Sequence, residues 1–433
     1  MSARTLYVAL VCAAFAVAAP PLLAGTQSNP GPQERAAITA DELVRRVLDN
    51  NPGLAAAGAA AEAAFYRVEP AGSLDDPMLG YGVAPLTASA DRSLNQRIEF
   101  SQRIPWPGTL AAREAEARHD ARAMDADQDA LVLDLAANAR MAHAEWRYIN
   151  EALRIHHETR AILDDLVAVA ESRYAAGRAT KQDVIQAELE RERLNRHELL
   201  LRREQTTIQA RINALLNRSP AAALPAAAPI DVSEKFAPVA ELEAMAIAAH
   251  PELRRLAATV DARESRVTLA KKAFLPDFQV GVGYNSLWDP VDKRPIIGVS
   301  INVPLYRGKR QAELDRARAD VRRASFALDD RQAALLSELA AARSRVVEAR
   351  DAVDLYESKL LPLADEFLSS AVADYRSGDG AFLNVITAEQ RKLDTELAYV
   401  RAVSDHARHV AELRRWSGAS IDLSRESPVG VSK

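Results

Sequence analysis

The sequence predicts a mainly α-helical fold with a small β part, and it predicts the same plan used twice. Three observations carry this reading. Landmark residues recur in one order in the two halves. Residues 109–175 and 309–376 keep a helical pattern far longer than most helices of globular proteins. Before each of these stretches, two short segments alternate apolar and polar side chains. The composition agrees. The 433 residues are only 5 % aromatic, with 17 Gly and 21 Pro, and Ala, Leu, Glu, Arg and Asp dominate, as in long helices and coiled coils. A net charge of −5 gives no basic footprint, so nucleic acid is excluded as a partner.

The duplication is read first. Glu42–Leu54, "ELVRRVLDNNPGL", parallels Glu241–Leu253, "ELEAMAIAAHPEL". Asn51-Pro52 meets His250-Pro251, Pro77 meets Pro276, and Pro105 meets Pro304, each pair 199 residues apart. Gly108 meets Gly308 at 200, and Tyr174 meets Tyr375 at 201. The expected organisation is a first repeat at 38–216, a linker at 217–238, and a second repeat at 239–418. The linker's prolines forbid a continuous helix. A tail follows at 419–433.

Residues 1–24 have Arg4 ahead of an apolar stretch, Leu6–Ala19, and then small residues. This is the pattern of a secretory signal peptide, cleaved after Ala24 and followed by a segment at 25–37. The single cysteine, Cys12, lies inside it after Ala9-Leu10-Val11, a poor site for lipid attachment. The mature chain then has no disulfide and no thiolate metal site. No later run of 18 apolar residues is present to make a membrane helix.

Each repeat opens with a helix of about thirty residues, 39–70 and 238–273. Two strands follow, within 77–104 and 276–304. In "DFQVGVGYN", Phe278, Val280, Val282 and Tyr284 share one face, and Gln279, Gly281, Gly283 and Asn285 share the other. The return places Ile297, Val299, Ile301 and Val303 against Gly298, Ser300 and Asn302. In the first repeat Leu79, Tyr81, Val83, Ile98, Phe100 and Ile104 oppose Arg97, Glu99, Ser101 and Arg103. These lengths suit tilted membrane strands with apolar groups to lipid and polar groups to a lumen. Taken alone, the hairpins also fit a soluble sheet. Four strands cannot close a barrel, and an open edge cannot face lipid, so several copies must pool their strands. Arg97, Glu99, Arg103, Gln279 and Asn285 are the expected lumen residues.

Pro105, Trp106 and Gly108, and then Pro304 and Gly308, end the strands and turn the chain into the long helices. Proline removes a ladder donor and glycine permits the bend. Trp106 suits either a bilayer interface or packing at the corner. The second long helix carries a heptad seam, Leu314, Val321, Leu328, Leu335, Ala342, Ala349, Tyr356 and Leu363, joined by Leu339, Val346, Val353, Leu360 and Phe367. Pro362, where the first repeat has Ala161, predicts a bend there. Tyr-x-x-Gly stops each long helix, and a return helix follows at 180–217 and 381–416. The return helix and the leading helix of the next repeat are expected to stack end to end beside one long helix, with the linker at the waist.

No Gly-rich phosphate loop, HExxH or Gly-x-Ser-x-Gly occurs, so no enzyme, catalytic residue, cofactor or metal site is expected. The adjacent His156 and His157 point about 100° apart on a helix and read as surface histidines.

This duplicated plan, with Asn-Pro and His-Pro in the leading helices and Tyr-x-x-Gly at the tips, resembles the TolC-like outer-membrane efflux proteins over about residues 38–418. The resemblance implies a homotrimer in outer-membrane lipid. Its twelve strands would form one barrel, continuing into a periplasmic α-helical coiled-coil barrel. It also implies two partners, a periplasmic adaptor (a membrane fusion protein) and an inner-membrane RND-type pump. Asp75–Val83, "DDPMLGYGV", and Ser101–Arg113, "SQRIPWPGTLAAR", look most like the heavy-metal efflux branch, although Thr109 stands where that branch carries lysine. Drug efflux and type I protein secretion are the alternatives, and a soluble periplasmic coiled-coil scaffold is the rival of another class. The resemblance places a gate at the periplasmic tip. There Asp183 and Tyr375 match a linking pair, and Asn384 and Thr387 fall where relatives carry an acidic ring. Asp379 is the nearest acidic substitute. A helix cap is the other reading of Asp183.

Overall fold

The computed structural model describes residues 37–84 and 95–418, apart from Lys235 and Asp289, all within one unit spanning Ala37–Lys433. The expected signal peptide, Cys12 and the tail at 419–433 lie outside the described residues. The chain is mainly helical with one four-stranded antiparallel sheet.

The first leading helix is α1 (Ala40–Asn50), α2 (Pro52–Phe65) and α3 (Val68–Gly72). Strands β1 (Met78–Ala84) and β2 (Asn95–Ile104) precede α4 (Thr109–Ala175), which is unbroken α-helix, and α5 (Lys181–Leu215) returns. The second half repeats this with α6 (Val239–Ala249), α7 (Pro251–Lys272), β3 (Phe278–Asn285), β4 (Pro295–Ile301), α8 (Arg307–Leu355), α9 (Leu361–Ser377) and α10 (Phe382–Ser417).

The leading helices are not continuous, as the sequence reading had them. A residue before proline is pushed out of the α region. Asn51 and His250 are accordingly extended, and each closes one helix and caps the next. Asn51 Oδ1 accepts from the Gly53 and Leu54 amides at 2.9 and 3.2 Å. His250 Nδ1 accepts from the Glu252 amide at 3.3 Å.

The stacking partner also differs from expectation. Asn51 Nδ2 donates to the Leu215 carbonyl at 3.2 Å, which sets the end of α5 on the start of α2 within one repeat. A side chain at Gly418, just past α10, would come 3.9 Å from Cα of His250 at the start of α7. Each return helix therefore stacks on its own repeat's leading helix. In the sheet-proximal half, α7 lies between α4 and α8. In the other half α10 takes that place.

Two apolar cores mark the waist. Leu43, Val44 and Val47 of α1 pack with Leu135, Ala139 and Trp146 of α4 and with Ile208 and Ile212 of α5. Leu242 and Ala246 of α6 pack with Leu335, Leu339, Ala342 and Val346 of α8 and with Val410 and Leu413 of α10. Burying each such leucine is worth about 1.5–3 kcal/mol. The linker is tied here. Ile38 bonds the linker backbone on both sides, at 2.9 Å to Ala226 and Ala228, and Trp146 Nε1 donates to Pro225 O at 2.9 Å.

The seam on α8 is buried from Leu335 to Val353 as the heptads require. It then shifts. Tyr356–Leu360 is a π-helical turn, in which the Leu361 amide bonds Tyr356 O five residues back. Proline 362 cannot donate to Ser358 O, and its ring would crowd that carbonyl in an α-helix, so the turn widens. A π turn adds one residue to the register. Leu363 and Phe367, expected in the seam, are 59 % and 48 % exposed. Ala364, Ala371 and Tyr375 are buried instead, each one place later than the heptad predicts.

Candidate functional site at the sheet and the helix tips

The sheet order is β1-β2-β3-β4. Its register aligns apolar residues in rows: Leu79, Phe100, Val282 and Ile297 form one, and Tyr81, Ile98 and Tyr284 form another. Polar and small residues align between them. Glu99 lies between Gly80 and Gly283, and Gln279 between Arg103 and Ser300. The apolar face is open: Leu79 is 75 % and Ile297 82 % exposed. On the other face Arg97 pairs with Glu99, and Gln279 Nε2 donates to Ser101 Oγ at 3.1 Å. Asn285 mainly serves the turn, its Oδ1 accepting from the Leu287 amide at 3.1 Å.

Asp277 joins the feet of the two hairpins. Its carboxylate takes Arg103 at 2.6 Å and the Trp106 amide at 3.3 Å, and its carbonyl takes the Asn302 amide at 3.0 Å. Trp106 stacks on Phe278 with ring centres 5.8 Å apart, the packing role of its two readings. Pro105 is buried in the corner. Gly108 has φ 81° and precedes α4, so the bend does need glycine there. Gly308 does not match it. It lies inside the first turn of α8 without a positive φ, and the turn at Val303–Arg307 around Pro304 makes the corner.

At the other end, the tips of the two repeats share a core: Leu163, Val167 and Ala170 of α4, Ala187 and Leu194 of α5, Ala371 and Tyr375 of α9, and Phe382, Val385 and Ile386 of α10. Glycines 177 and 378 take positive φ to end the long helices. The two motif tyrosines part here, Tyr174 exposed and Tyr375 buried.

The structure does not join Asp183 to Tyr375. Asp183 forms a capping box with Thr180: its Oδ2 accepts from the Thr180 amide at 2.9 Å, and its own amide donates to Thr180 Oγ1 at 3.3 Å. The Tyr375 hydroxyl is buried and makes no hydrogen bond among the described residues. The link across the repeats comes instead from Arg173, which sequence reasoning missed. Its guanidinium sits 4.1 Å from the Tyr375 ring centre, and Nη1 donates to Tyr375 O at 3.1 Å. Nothing in the local pattern distinguishes Arg173 from the other arginines.

Asp379 Oδ2 accepts from Ser377 Oγ at 3.0 Å, within its own turn. Asn384 is exposed, and Thr387 Oγ1 donates to Leu383 O at 2.8 Å. The carboxylate of this region that sequence reasoning passed over is Glu389. It is 2 % exposed, its Oε2 lacks a hydrogen bond, and burial pushes its carboxyl up, against Lys392. Lys392 is held by Asp365 at 2.7 Å. No cluster of three or more metal-binding side chains occurs among the described residues. His156, read as a surface residue, is buried at 3 % exposure, whereas His157 is exposed.

A sheet with one open apolar face, continuing into paired helical stacks, defines an outer-membrane channel architecture. The chain belongs to the outer membrane efflux protein family, which matches residues 43–218 and 242–419. Outer membrane efflux protein BepC of Brucella suis biovar 1 (strain 1330) is 24 % identical over 278 residues, which cover 61 % of this chain and 59 % of BepC. VceC of Vibrio cholerae superposes with a TM-score of 0.75 at 20 % identity, over 88 % of this chain and 96 % of VceC. CusC superposes with a TM-score of 0.76 at 17 % identity, over 87 % and 91 %. The family is one of outer-membrane channels reaching into the periplasm, not of enzymes.

Proposed function

We propose that this chain forms a homotrimeric outer-membrane channel, the exit duct of a tripartite RND-type efflux system served by a periplasmic adaptor and an inner-membrane pump. One observation carries the reading. The sheet has an exposed apolar face and two outer strands, β1 and β4, with no partner beyond them among the described residues. Lipid accepts the face but not the open edges, since an unpaired backbone group costs several kcal/mol in hydrocarbon. Pairing β4 of one copy with β1 of the next removes the edges. Arg97, Glu99, Arg103 and Gln279 then line the lumen. The two repeats, 38–216 and 239–418, and the linker 217–238 build the wall. The tips form the gate, with Arg173 and Tyr375 as its latch.

Heavy-metal cations are the proposed cargo. Support comes from "DDPMLGYGV" and "SQRIPWPGTLAAR", and from the uncharged Asn384 and Thr387, which leave no carboxylate there to trap cations. Organic drugs or a secreted protein would use the same architecture. A water-soluble scaffold would leave the rows from Leu79 to Ile297 in water, a patch of the kind that marks a membrane or partner surface.

Size measurement of the detergent-extracted protein, with growth of a gene-deletion strain on copper, silver, zinc, cobalt, cadmium and antibiotics, tests both parts. A monomer, or full recovery without detergent, refutes the channel. Sensitivity to antibiotics alone refutes the metal cargo.

A further inference from the structure

We infer that His156 of α4 and His197 of α5 form a binding site for one borderline divalent transition-metal cation, Cu²⁺ foremost, in the helical wall between waist and tip. The two rings come from neighbouring helices with centroids 6.0 Å apart and planes at 43°. A metal sits about 2.0–2.1 Å from an imidazole nitrogen, hence about 3 Å from the ring centre. Two rings sharing one ion are therefore about 5–6.5 Å apart, depending on the angle at the metal. The observed spacing lies inside that window, so rotation of the side chains alone can aim both nitrogens at one point.

The position of His156 has no account in packing. It falls on the buried stripe of α4 that runs through Ile149, Leu153, Leu163, Val167 and Ala170, where leucine would fill the same space. Its Nδ1 is enclosed and has no hydrogen-bond partner. A buried ring nitrogen left unpaired is costly, and an ion between the rings would satisfy it. Burial, with His197 and His157 acting in the same direction and Glu198 opposing, holds His156 below the ordinary histidine range. Its ring is thus neutral at neutral pH, with a lone pair to give.

The neighbouring groups limit the donor set. Glu198 is taken by Arg202 at 2.8 and 2.6 Å and lies 3.5 Å from Arg160. His157 lies about 100° around the helix, and among the described residues no third protein ligand joins the pair. Two imidazoles with water completing the shell select Cu²⁺, Ni²⁺ or Zn²⁺ over Mg²⁺ or Ca²⁺, and the general affinity order puts Cu²⁺ first. This site rests on the ring pair and stands whether the channel carries metals or organic molecules.

The test uses the full chain in detergent, stripped with a chelator and titrated with CuCl₂ by calorimetry and electron paramagnetic resonance. The expected result is one Cu²⁺ per chain at this site with nitrogen couplings from two imidazoles. His197→Gln, on an exposed position, weakens it at least tenfold, and His157→Gln leaves it unchanged. His156→Leu abolishes it while completing the apolar stripe, so the metal-free protein melts no lower than wild type. Wild-type copper binding in both His197→Gln and His156→Leu, or a wild-type spectrum without two imidazole nitrogens, overturns the inference.

Discussion

The guanidinium of Arg173, in the last turn of α4, lies 4.1 Å from the ring centre of Tyr375 in the last turn of α9. With its bond to Tyr375 O at 3.1 Å, it ties the tip of one repeat to the other. A cation over an aromatic face is worth about 0.5–2 kcal/mol, the upper end when desolvated. Asp183, by contrast, holds only its own helix start, worth about 1 kcal/mol of local stability.

From this, Arg173→Ala should raise single-channel conductance in planar bilayers by loosening the proposed gate. Tyr375→Phe should not, because the hydroxyl makes no bond to lose and the ring stays. Asp183→Ala should fray α5 without opening the channel. An Arg173→Ala channel that conducts like wild type places the latch elsewhere.

The rows on the sheet give a second expectation. Val280 lies between Gln102 and Val299 on the apolar face, and Gln279 lies between Arg103 and Ser300 on the polar one. An arginine facing lipid near the bilayer midplane costs about 2–4 kcal/mol, whereas lumen positions are far more tolerant. Val280→Arg should therefore lower the yield of membrane-inserted protein much more than Gln279→Arg. Equal losses, measured by heat-modifiable band intensity in membrane fractions, would reverse the facing.

The strands, α4 and the first corner were legible because period-2 alternation, an uninterrupted stripe and a Pro/Gly stop are local signals, whereas Gly308 of the second corner lies inside α8. Three features were not. Asn51 and His250 were seen as repeat landmarks, but their capping role emerges only where the preceding helix ends against a neighbour. The stacking of α5 on α2 is a contact across 164 residues, made through Asn51 Nδ2 and Leu215 O, and sequence spacing allowed either partner. The seam beyond Leu360 failed for a sharper reason. A heptad count assumes a constant number of residues per turn, and the π turn before Pro362 breaks that assumption by one residue. The same slip hid the burial of Tyr375 at the candidate gate.

That slip is testable in its own right. Proline favours the widened turn, but the burial of Ala364, Ala371 and Tyr375 now depends on it. Straightening the helix would turn all three by about 100° and bring Leu363 and Phe367 inward. Pro362→Ala alone should keep the π turn and change stability by less than about 1 kcal/mol. Pro362→Ala with deletion of Ser358 should give regular α-helix with the same residues buried. A crystal structure of Pro362→Ala with i→i+4 bonding through 356–360 and Leu363 inside would show that proline, not packing, sets the register.

The waist carries the last expectation, an acid sensitivity located at His250. Burial holds His143, His156, His250 and His406 below the ordinary histidine range; at His250, Glu252 and the Arg415 backbone oppose this, while the charges of Arg331 and Arg415 reinforce it. Above pH of about 6.5, the unfolded histidine value, both folded and unfolded chains hold these rings neutral and nothing is lost. Below it the unfolded chain takes up protons that the folded one refuses, so stability falls with pH until the folded rings titrate as well. Protonating His250 would also end its role as acceptor for the Glu252 amide at the cap. Glu389 and Glu396, whose carboxyls burial pushes up, act in the opposite sense, so a comparison of single variants is needed. Asn51 shows that asparagine caps the matching helix of the first repeat. His250→Asn should therefore keep the neutral-pH melting temperature close to wild type and lose less of it between pH 7 and pH 5. His250→Ala should cost about 1 kcal/mol at pH 7 through the lost cap. Melting curves of the detergent-solubilised protein at both pH values measure this, and a wild-type pH slope in His250→Asn would move the acid sensitivity to the other three histidines.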